Sequence, residues 1–207
     1  MIDLDTLPRI LDLPEDPGPE AQAPPLGTDG FMHAAVSVVA RAARNGPEVL
    51  LIKRAVVDRD PWSGHIAFPG GKHEADDRHL LDTARRETRE ETGLVLPETP
   101  PQWVGRLPGV TPRGAGLLPP LVVTPFLFRV GPDADARVAS REVEQVHWVP
   151  LRQLADPDRE GTYRFPIGNA VRSFPSIDVL DAQVWGLTWR ILDGLMDVMG
   201  LRPARDG

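Results

Sequence analysis

The sequence contains no cysteine among its 207 residues. Disulfide bridges, thiolate metal sites and a cysteine nucleophile are therefore excluded. It also lacks any uninterrupted run of the about 18 apolar residues that a membrane-spanning helix needs. Its first residues carry acidic side chains and prolines where a signal peptide has a basic region followed by an apolar one. We therefore expect a cytoplasmic protein.

The sequence has fewer basic than acidic residues. The chain has 23 Lys and Arg against 30 Asp and Glu, which gives a net charge of −7. This balance argues against a nucleic-acid backbone or an anionic membrane as the main partner. The expected partner is a small molecule, and if that molecule is an anion, cations must mediate its binding.

Proline, by contrast, is abundant. The 23 prolines are roughly double the usual share of about 5%, which favours rigid loops over disorder. Residues 4–13 predict a short amphipathic helix, and a proline-rich connector follows it. The expected organisation is this helix and connector over residues 1–30, a single domain over residues 31–200 and a tail over residues 201–207.

Apolar, β-rich stretches predict the strands. They cover residues 31–43, 48–55, 102–107, 121–130 and 144–149. Asn45-Gly46 separates the first two stretches and is typical of a hairpin turn. A short extended piece is expected at residues 66–68. Strands and helices alternate irregularly, so the fold class is α/β or α+β with a mixed sheet.

Two segments predict helices. Residues 78–92 contain no proline or glycine, and Gly93 suits the position just past a helix end. Within residues 183–200, apolar residues recur at helical spacing. Trp185 and Trp189 lie one turn apart in this second segment, and we interpret them as contacts in the core or across a homodimer.

The first helix carries a cluster of carboxylates. At 100° per residue, Glu87, Glu90 and Glu91 fall within about a quarter to a third of a turn on one face. Gly70 and Gly71, upstream, let the backbone approach a ligand closely. Oxygen-only ligands suit hard cations such as Mg²⁺ or Mn²⁺. From the residues alone, a solvated helix face is the alternative interpretation.

Residues 86–94, RETREETGL, resemble the second half of the Nudix box, G-x5-E-x7-R-E-U-x-E-E-x-G-U, where U is apolar. Thr88 replaces one apolar residue, and Gly71 lies one position too far from Arg86. Counted forward from Gly71, the position of the first glutamate of the box is occupied by Asp77. This departure resembles the coenzyme A diphosphatase branch, in which the loop before the helix is one residue longer and reads GGK-x-D-x-x-D.

An upstream signature of the same branch is L-L-T-x-R-[SA]-x3-R-x3-G-x3-F-P-G-G. It is similar to residues 50–71, with Ile52 in place of threonine and four residues between Arg59 and Gly64. The resemblance spans roughly residues 31–200. These departures affect the identity of the substrate more than the chemistry.

The resemblance implies a Nudix fold, in which a mixed sheet is sandwiched between helices. It also implies that Glu87, Glu90, Glu91 and the Gly71 carbonyl hold Mg²⁺ or Mn²⁺ ions. A diphosphate and hydroxide both repel these carboxylates, and metal ions offset the repulsion and activate water near pH 7. Glu90 and Glu91 thereby count as catalytic candidates.

Other residues are candidates for a base and for substrate contacts. Glu142 or Glu144, before a predicted strand, is the expected general base, with exposed loop charge as the alternative. Arg54 and Arg59 are expected to bind phosphate or, alternatively, to form surface ion pairs. Lys72, beside the glycine pair, is a further candidate for a phosphate contact. Trp62 would stack on adenine or anchor its loop on the fold; the latter interpretation is favoured.

The function that the resemblance implies is Mg²⁺-dependent hydrolysis of coenzyme A to 3′,5′-ADP and 4′-phosphopantetheine. One alternative is a Nudix hydrolase of ADP-ribose or another nucleotide sugar. A catalytically inactive nucleotide-binding regulator is disfavoured, because such modules usually lack one or more of the box glutamates.

Overall fold

The computed structural model describes residues 29–58, 60, 62–96, 103–112 and 120–201. The helix expected at residues 4–13, most of the proline-rich connector and Arg59 lie outside this range. The division into three regions therefore stays a prediction. No helix in the described part of the chain is long and apolar enough to cross a membrane.

In the described part of the chain, the main sheet has seven strands. They are β1 (Met32–Arg41), β2 (Glu48–Arg54), β3 (Ile66–Ala67), β4 (Gly70–Lys72), β5 (Trp103–Arg106), β6 (Leu121–Val130) and β7 (Val143–Pro150). β1 and β6 pair in parallel, and the other pairs are antiparallel. The mixed sheet and its five main strands confirm the prediction. The pairing of β4 with β1 was not predicted.

Helix α1 (Leu80–Thr92) carries the carboxylate cluster. It begins two residues later than predicted, because the Asp82 carboxylate accepts a hydrogen bond from the His79 N–H at 3.1 Å and fixes the first turn. Gly93 ends it with φ of 68°. Thr88, which departs from the apolar pattern, is fully buried, and its hydroxyl donates to the Ala84 carbonyl at 2.7 Å. Its polar atom is thus satisfied inside the core.

A second, antiparallel sheet follows a single-turn helix α2 (Leu151–Leu154). It consists of β8 (Glu160–Ile167), β9 (Ala170–Val179) and β10 (Ala182–Trp185). The sequence prediction missed it because prolines occur in both long strands. Proline has no N–H to donate to a neighbouring strand. Pro175 is tolerated because β10 ends at the pair Trp185↔Ser176, so Pro175 has a neighbouring strand, β8, on one side only.

Helix α3 (Gly186–Val198) is shorter than predicted. The expectation of helix from residue 183 was wrong, because Val184 pairs with Ile177 of β9 and Gly186 turns the chain at φ of 65°. Trp185 is 7% exposed and Trp189 packs on the core of the same chain. The core interpretation is confirmed for both residues, and the homodimer stays a prediction.

The main sheet is buried on both faces. Along β1, Ala35 and Val39 join the cluster that contains α1, whereas Val38 and Ala40 join the cluster that contains α3 and the second sheet. This alternation follows from the two-residue period of a strand. A mixed sheet sandwiched between helices is therefore confirmed as the fold class.

We predict that Gly70→Ala destabilises the fold more than Gly46→Ala. Both glycines have positive φ, of 154° and 104°, which an alanine adopts at a cost of about 1 to 3 kcal/mol. Only at Gly70 would the new Cβ also clash with the backbone of β1, at Ala35 and Val36, which adds about 1 to 3 kcal/mol. Urea unfolding of the two variants measures the difference, and equal losses would contradict the crowding at Gly70.

Candidate active site

The three glutamates of α1 lie in different environments. Glu90 has a side chain that is 51% exposed, and that of Glu87 is 17% exposed. Glu91 is only 5% exposed. The shared face therefore runs from solvent at Glu90 into the protein at Glu91, where a carboxylate charge is least well solvated.

Glu91 lies beneath the glycine pair. Its Oε2 accepts a hydrogen bond from the Gly70 N–H at 2.9 Å. The pKa of Glu91 is raised to about 8: burial is the main cause and the charges of Glu87 and Glu142 add to it, while the Gly70 N–H and Arg54 oppose them. Burial also raises the pKa of Glu87. Glu91 is thus short of compensating positive charge, whereas Arg86 partly offsets the effect of burial on Glu87.

The glycine pair belongs to β4 and is held against β1 by the pairs Ala35↔Gly71 and Val36↔Gly70. A Cβ at Gly71 would collide with the Glu87 carboxylate. The backbone of residue 71 therefore lies directly against a carboxylate of α1, which only a residue without a side chain permits.

Arg86 connects the carboxylates of α1 to the preceding loop. Its Nε and Nη2 donate to the two oxygens of Asp77 at 3.0 Å each, and its Nη1 donates to Glu87 at 3.0 Å and to Glu90 at 3.4 Å. Asp77 is 9% exposed and also accepts from the Thr83 hydroxyl at 2.9 Å. Asp77 is therefore the anchor of this guanidinium, a role that the sequence analysis did not assign to it.

The pair also changes the acidity of both partners. Burial pushes the pKa of Asp77 upward, but hydrogen bonds from Arg86, the Glu74 N–H and Thr83 hold it below its ordinary value. The Asp77 carboxylate in turn raises the pKa of Arg86. Both groups stay charged across the physiological range, so the bidentate contact keeps its two opposite charges there.

The donor set suits a hard divalent cation. Glu87, Glu90 and Glu91 offer carboxylate oxygens and Gly71 a carbonyl, and the raised pKa of Glu91 and of Glu87 shows where added positive charge would be favourable. Within the described residues, no three Asp, Glu or His side chains have the spacing of a formed metal site. Glu87 and Glu90 contact Arg86 instead, so chelation by all three requires these side chains to rotate.

The structure separates Glu142 from Glu144, which the sequence analysis left equivalent. Glu144 is 40% exposed, and its Oε1 lies 3.2 Å from the Lys53 ammonium, which also contacts Asp181. Glu142 is exposed, and its charge raises the pKa of Glu91. Its carbonyl accepts a hydrogen bond from the Ala55 N–H at 2.8 Å. Of these two candidates, Glu142 is the one that acts electrostatically on the carboxylate cluster.

The predicted phosphate contacts lie at the ends of β2 and β4. Arg54 donates from Nη2 to Asp60 at 3.0 Å, so the predicted ion pair forms. Its Nε is buried and has no hydrogen-bond partner among the residues that the structure describes. Lys72 has an exposed side chain, and its carbonyl accepts from Arg86 at 3.2 Å. Phosphate binding by Arg54 and Lys72 stays a prediction.

Comparison with known proteins provides independent information. The NUDIX domain family matches residues 32–166. The mitochondrial coenzyme A diphosphatase NUDT8 of Homo sapiens is 35% identical over 75% of this chain and 64% of its own length. The uncharacterised Nudix hydrolase NudL of Salmonella paratyphi B is 32% identical over 77% of this chain and 79% of its own length.

Two further similarities concern a longer relative and the fold. An uncharacterised protein of Schizosaccharomyces pombe is 38% identical over 54% of this chain. The matched region covers only 34% of that longer protein. The crystal structure of a MutT/nudix family protein from Enterococcus faecalis has a TM-score of 0.55 at 18% identity, covering 87% of this chain and 66% of that one. At this identity the likeness shows the fold alone.

We predict that the metal-free protein loses stability as the pH rises from 5.5 to 8.5. The pKa of Glu91 is about 8 in the fold against an ordinary value of 4.5. The folded state therefore holds a proton that the unfolded state releases, and the stabilisation is lost as the pH passes the folded pKa. The free energy of unfolding should fall by at most about 1.4 kcal/mol for each pH unit.

Urea unfolding in EDTA at several pH values measures this slope. Glu91→Gln keeps an acceptor for the Gly70 N–H but cannot titrate, so its stability should be nearly flat over this range. Glu90→Gln, at a half-exposed position, is the matched control and should keep the wild-type slope. An unchanged slope in Glu91→Gln would show that another group takes up the proton.

Proposed function

The chain belongs to the Nudix family of hydrolases, and on that premise we propose that it hydrolyses the diphosphate bond of coenzyme A or a related nucleoside diphosphate derivative. From coenzyme A the products are 3′,5′-ADP and 4′-phosphopantetheine. The observation that carries the proposal is the juxtaposition of Arg54 and the Gly70-Gly71 pair with the buried Glu91 carboxylate. The 35% identity to a human coenzyme A diphosphatase supports this choice of substrate.

Glu87, Glu90, Glu91 and the Gly71 carbonyl would hold Mg²⁺ or Mn²⁺, as divalent metals are generally required in this family. When bound, these cations neutralise the diphosphate and make water a better nucleophile. Arg86 restrains Glu87 and Glu90 through its contacts at 3.0 and 3.4 Å. Because Asp77 fixes the guanidinium from the other side, Arg86 holds these two carboxylates beside the site until they rotate to bind the cation.

Glu142 has the role of general base in this proposal. Its carboxylate takes a proton from the water whose oxygen bonds to one phosphorus, while the bond from that phosphorus to the bridging oxygen breaks; the other phosphate leaves with the bridging oxygen, and Glu142 returns its proton to solvent. Arg54 binds a phosphate of the diphosphate and offsets its negative charge. Glu144 takes no part in proton transfer, because Lys53 engages its carboxylate at 3.2 Å.

The first test is a panel of coenzyme A, dephospho-coenzyme A and ADP-ribose with Mg²⁺, with products separated by chromatography. We expect turnover of coenzyme A to the two named products, its abolition by EDTA and its restoration by Mg²⁺ or Mn²⁺. Glu90→Gln should lower kcat by orders of magnitude with an unchanged circular dichroism spectrum. Glu160→Gln, on the second sheet, is the matched control. Preference for ADP-ribose would overturn the substrate assignment and leave the metal site intact.

The second test separates the two candidate bases. Glu142→Gln should lower kcat by about 10²-fold to 10⁴-fold, the range of general-base catalysis. Glu144→Gln should stay near wild type, because its carboxylate is paired with Lys53. A larger loss in Glu144→Gln than in Glu142→Gln would reverse the assignment.

A further inference from the structure

A chain of hydrogen bonds leads from the end of β4 to the Asp77 carboxylate. The His73 Nδ1 lies 3.0 Å from the Thr83 hydroxyl oxygen, and that hydroxyl donates to the Asp77 Oδ2 at 2.9 Å. The side chain of His73 is only 7% exposed, and Thr83 is fully buried. Two buried polar side chains that the proposed chemistry does not use therefore converge on the anchor of Arg86.

The Asp77 carboxylate fixes the direction of these hydrogen bonds. Asp77 is ionised, because its pKa lies below the ordinary value, so its oxygens only accept. The Thr83 hydroxyl has a single proton, which it donates to Asp77, and it therefore accepts from His73. The imidazole of His73 thus carries a proton on Nδ1, whether or not its Nε2 is also protonated.

The members of this chain are themselves tied to the fold. The His73 N–H donates to the His33 carbonyl of β1 at 3.0 Å, which fixes the backbone that carries the imidazole. Thr83 lies in α1, and the Asp77 Oδ2 also accepts from the Glu74 N–H at 3.1 Å. The chain therefore connects the end of β4, the loop that follows it and the helix that carries the three glutamates.

Arg86 loses two partners when the glutamates bind a cation. Glu87 and Glu90 accept from its Nη1 at 3.0 and 3.4 Å, and these bonds break when both side chains rotate. The guanidinium then keeps its two bonds to Asp77 and its bond to the Lys72 carbonyl at 3.2 Å. A guanidinium that is poorly held would stay with the glutamates and compete with the cation for them. The position of Asp77 therefore determines how readily the carboxylates are released.

We propose that His73 and Thr83 are positioning residues for the Asp77 carboxylate. Through it they hold Arg86 in place while the glutamates of α1 turn to a divalent cation. The inference rests on the proposed function, which requires that cation. Hydrogen-bond partners one step removed from metal ligands typically change metal affinity about 10-fold to 100-fold when they are lost. The alternative is that Thr83 only fills space between α1 and the main sheet.

Thr83→Val and Thr83→Ser separate the two roles. Valine keeps the shape of threonine and removes the hydroxyl, whereas serine keeps the hydroxyl and removes a methyl group. We expect Thr83→Val to weaken Mn²⁺ binding to the substrate-free protein about 10-fold, and Thr83→Ser to change it less than about 2-fold. Electron paramagnetic resonance of free Mn²⁺ measures the affinity. Equal losses in the two variants, or a larger loss in Thr83→Ser, would overturn the proposal.

Thr88→Val is the matched control. Thr88 is a fully buried threonine of the same helix, and its hydroxyl donates to the Ala84 carbonyl of that helix at 2.7 Å. Because this hydroxyl does not contact Asp77 or Arg86, Thr88→Val should bind Mn²⁺ as the wild type does. A loss as large as that in Thr83→Val would show that any buried hydroxyl of α1 has this effect, which contradicts the proposed route.

His73→Leu and His73→Asn repeat the comparison at the other end of the chain, and they decide the matter if Thr83→Val does not fold. Asparagine places an amide N–H near the position of Nδ1, whereas leucine has no donor. We expect Mn²⁺ affinity to fall about 10-fold in His73→Leu and less than about 3-fold in His73→Asn. Lower stability in urea with unchanged Mn²⁺ affinity in His73→Leu would show a merely structural role.

An Asp77→Asn background tests whether Thr83 acts through Asp77. There, Thr83→Val should change Mn²⁺ affinity less than about 2-fold further, because the carboxylate that it positions is gone. A full 10-fold loss on this background overturns the proposal, and so does absence of Mn²⁺ binding to the wild type. Hydrolysis of coenzyme A by the wild type is measured separately: turnover that EDTA abolishes leaves the proposed function standing, and its absence refutes that function.

Discussion

The bidentate contact between Arg86 and Asp77 holds the candidate site together. Helix α1 presents several carboxylates on one face, and like charges at this spacing repel. The guanidinium lies between them: Asp77 binds it on one side, at 3.0 Å from two nitrogens, and Glu87 and Glu90 bind it on the other. Because Asp77 lies in the loop between β4 and α1, this contact also fixes the glycine pair relative to the helix.

The contact leaves one carboxylate without compensation. Glu91 lies below the reach of Arg86 and receives a hydrogen bond only from the Gly70 N–H among the contacts of its side chain in the described structure. Its raised pKa, about 8, reflects an environment that penalises the charge needed to bind a cation. Such a group weakens the metal-free fold at neutral pH and favours any ligand that supplies positive charge. Instability and affinity for a cation thus have the same origin.

The sequence predicted the features that depend on local chemistry. The hairpin at Asn45-Gly46, the end of α1 at Gly93 and the shared face of its glutamates follow from turn and helix geometry, and the structure contains all of them. Features that depend on distant contacts were missed or left open. The second sheet was hidden by its prolines, and Glu142 and Glu144 became distinct only when Lys53, from another strand, was found beside one of them.

The carboxylate cluster and the aromatic pocket, which Trp62, Phe165 and Trp185 line, are built from different parts of the fold. The carboxylate cluster rests on β4 and α1, whereas the walls of the aromatic pocket come from the second sheet and α3. The two parts meet at the segment from Arg54 to Ile66, which contributes Asp60 and Trp62. This segment also contains the extra residue by which the chain departs from the coenzyme A diphosphatase signature. The contact between Arg86 and Asp77 involves no residue of this segment, so the carboxylate cluster is fixed independently of the wall that Trp62 forms.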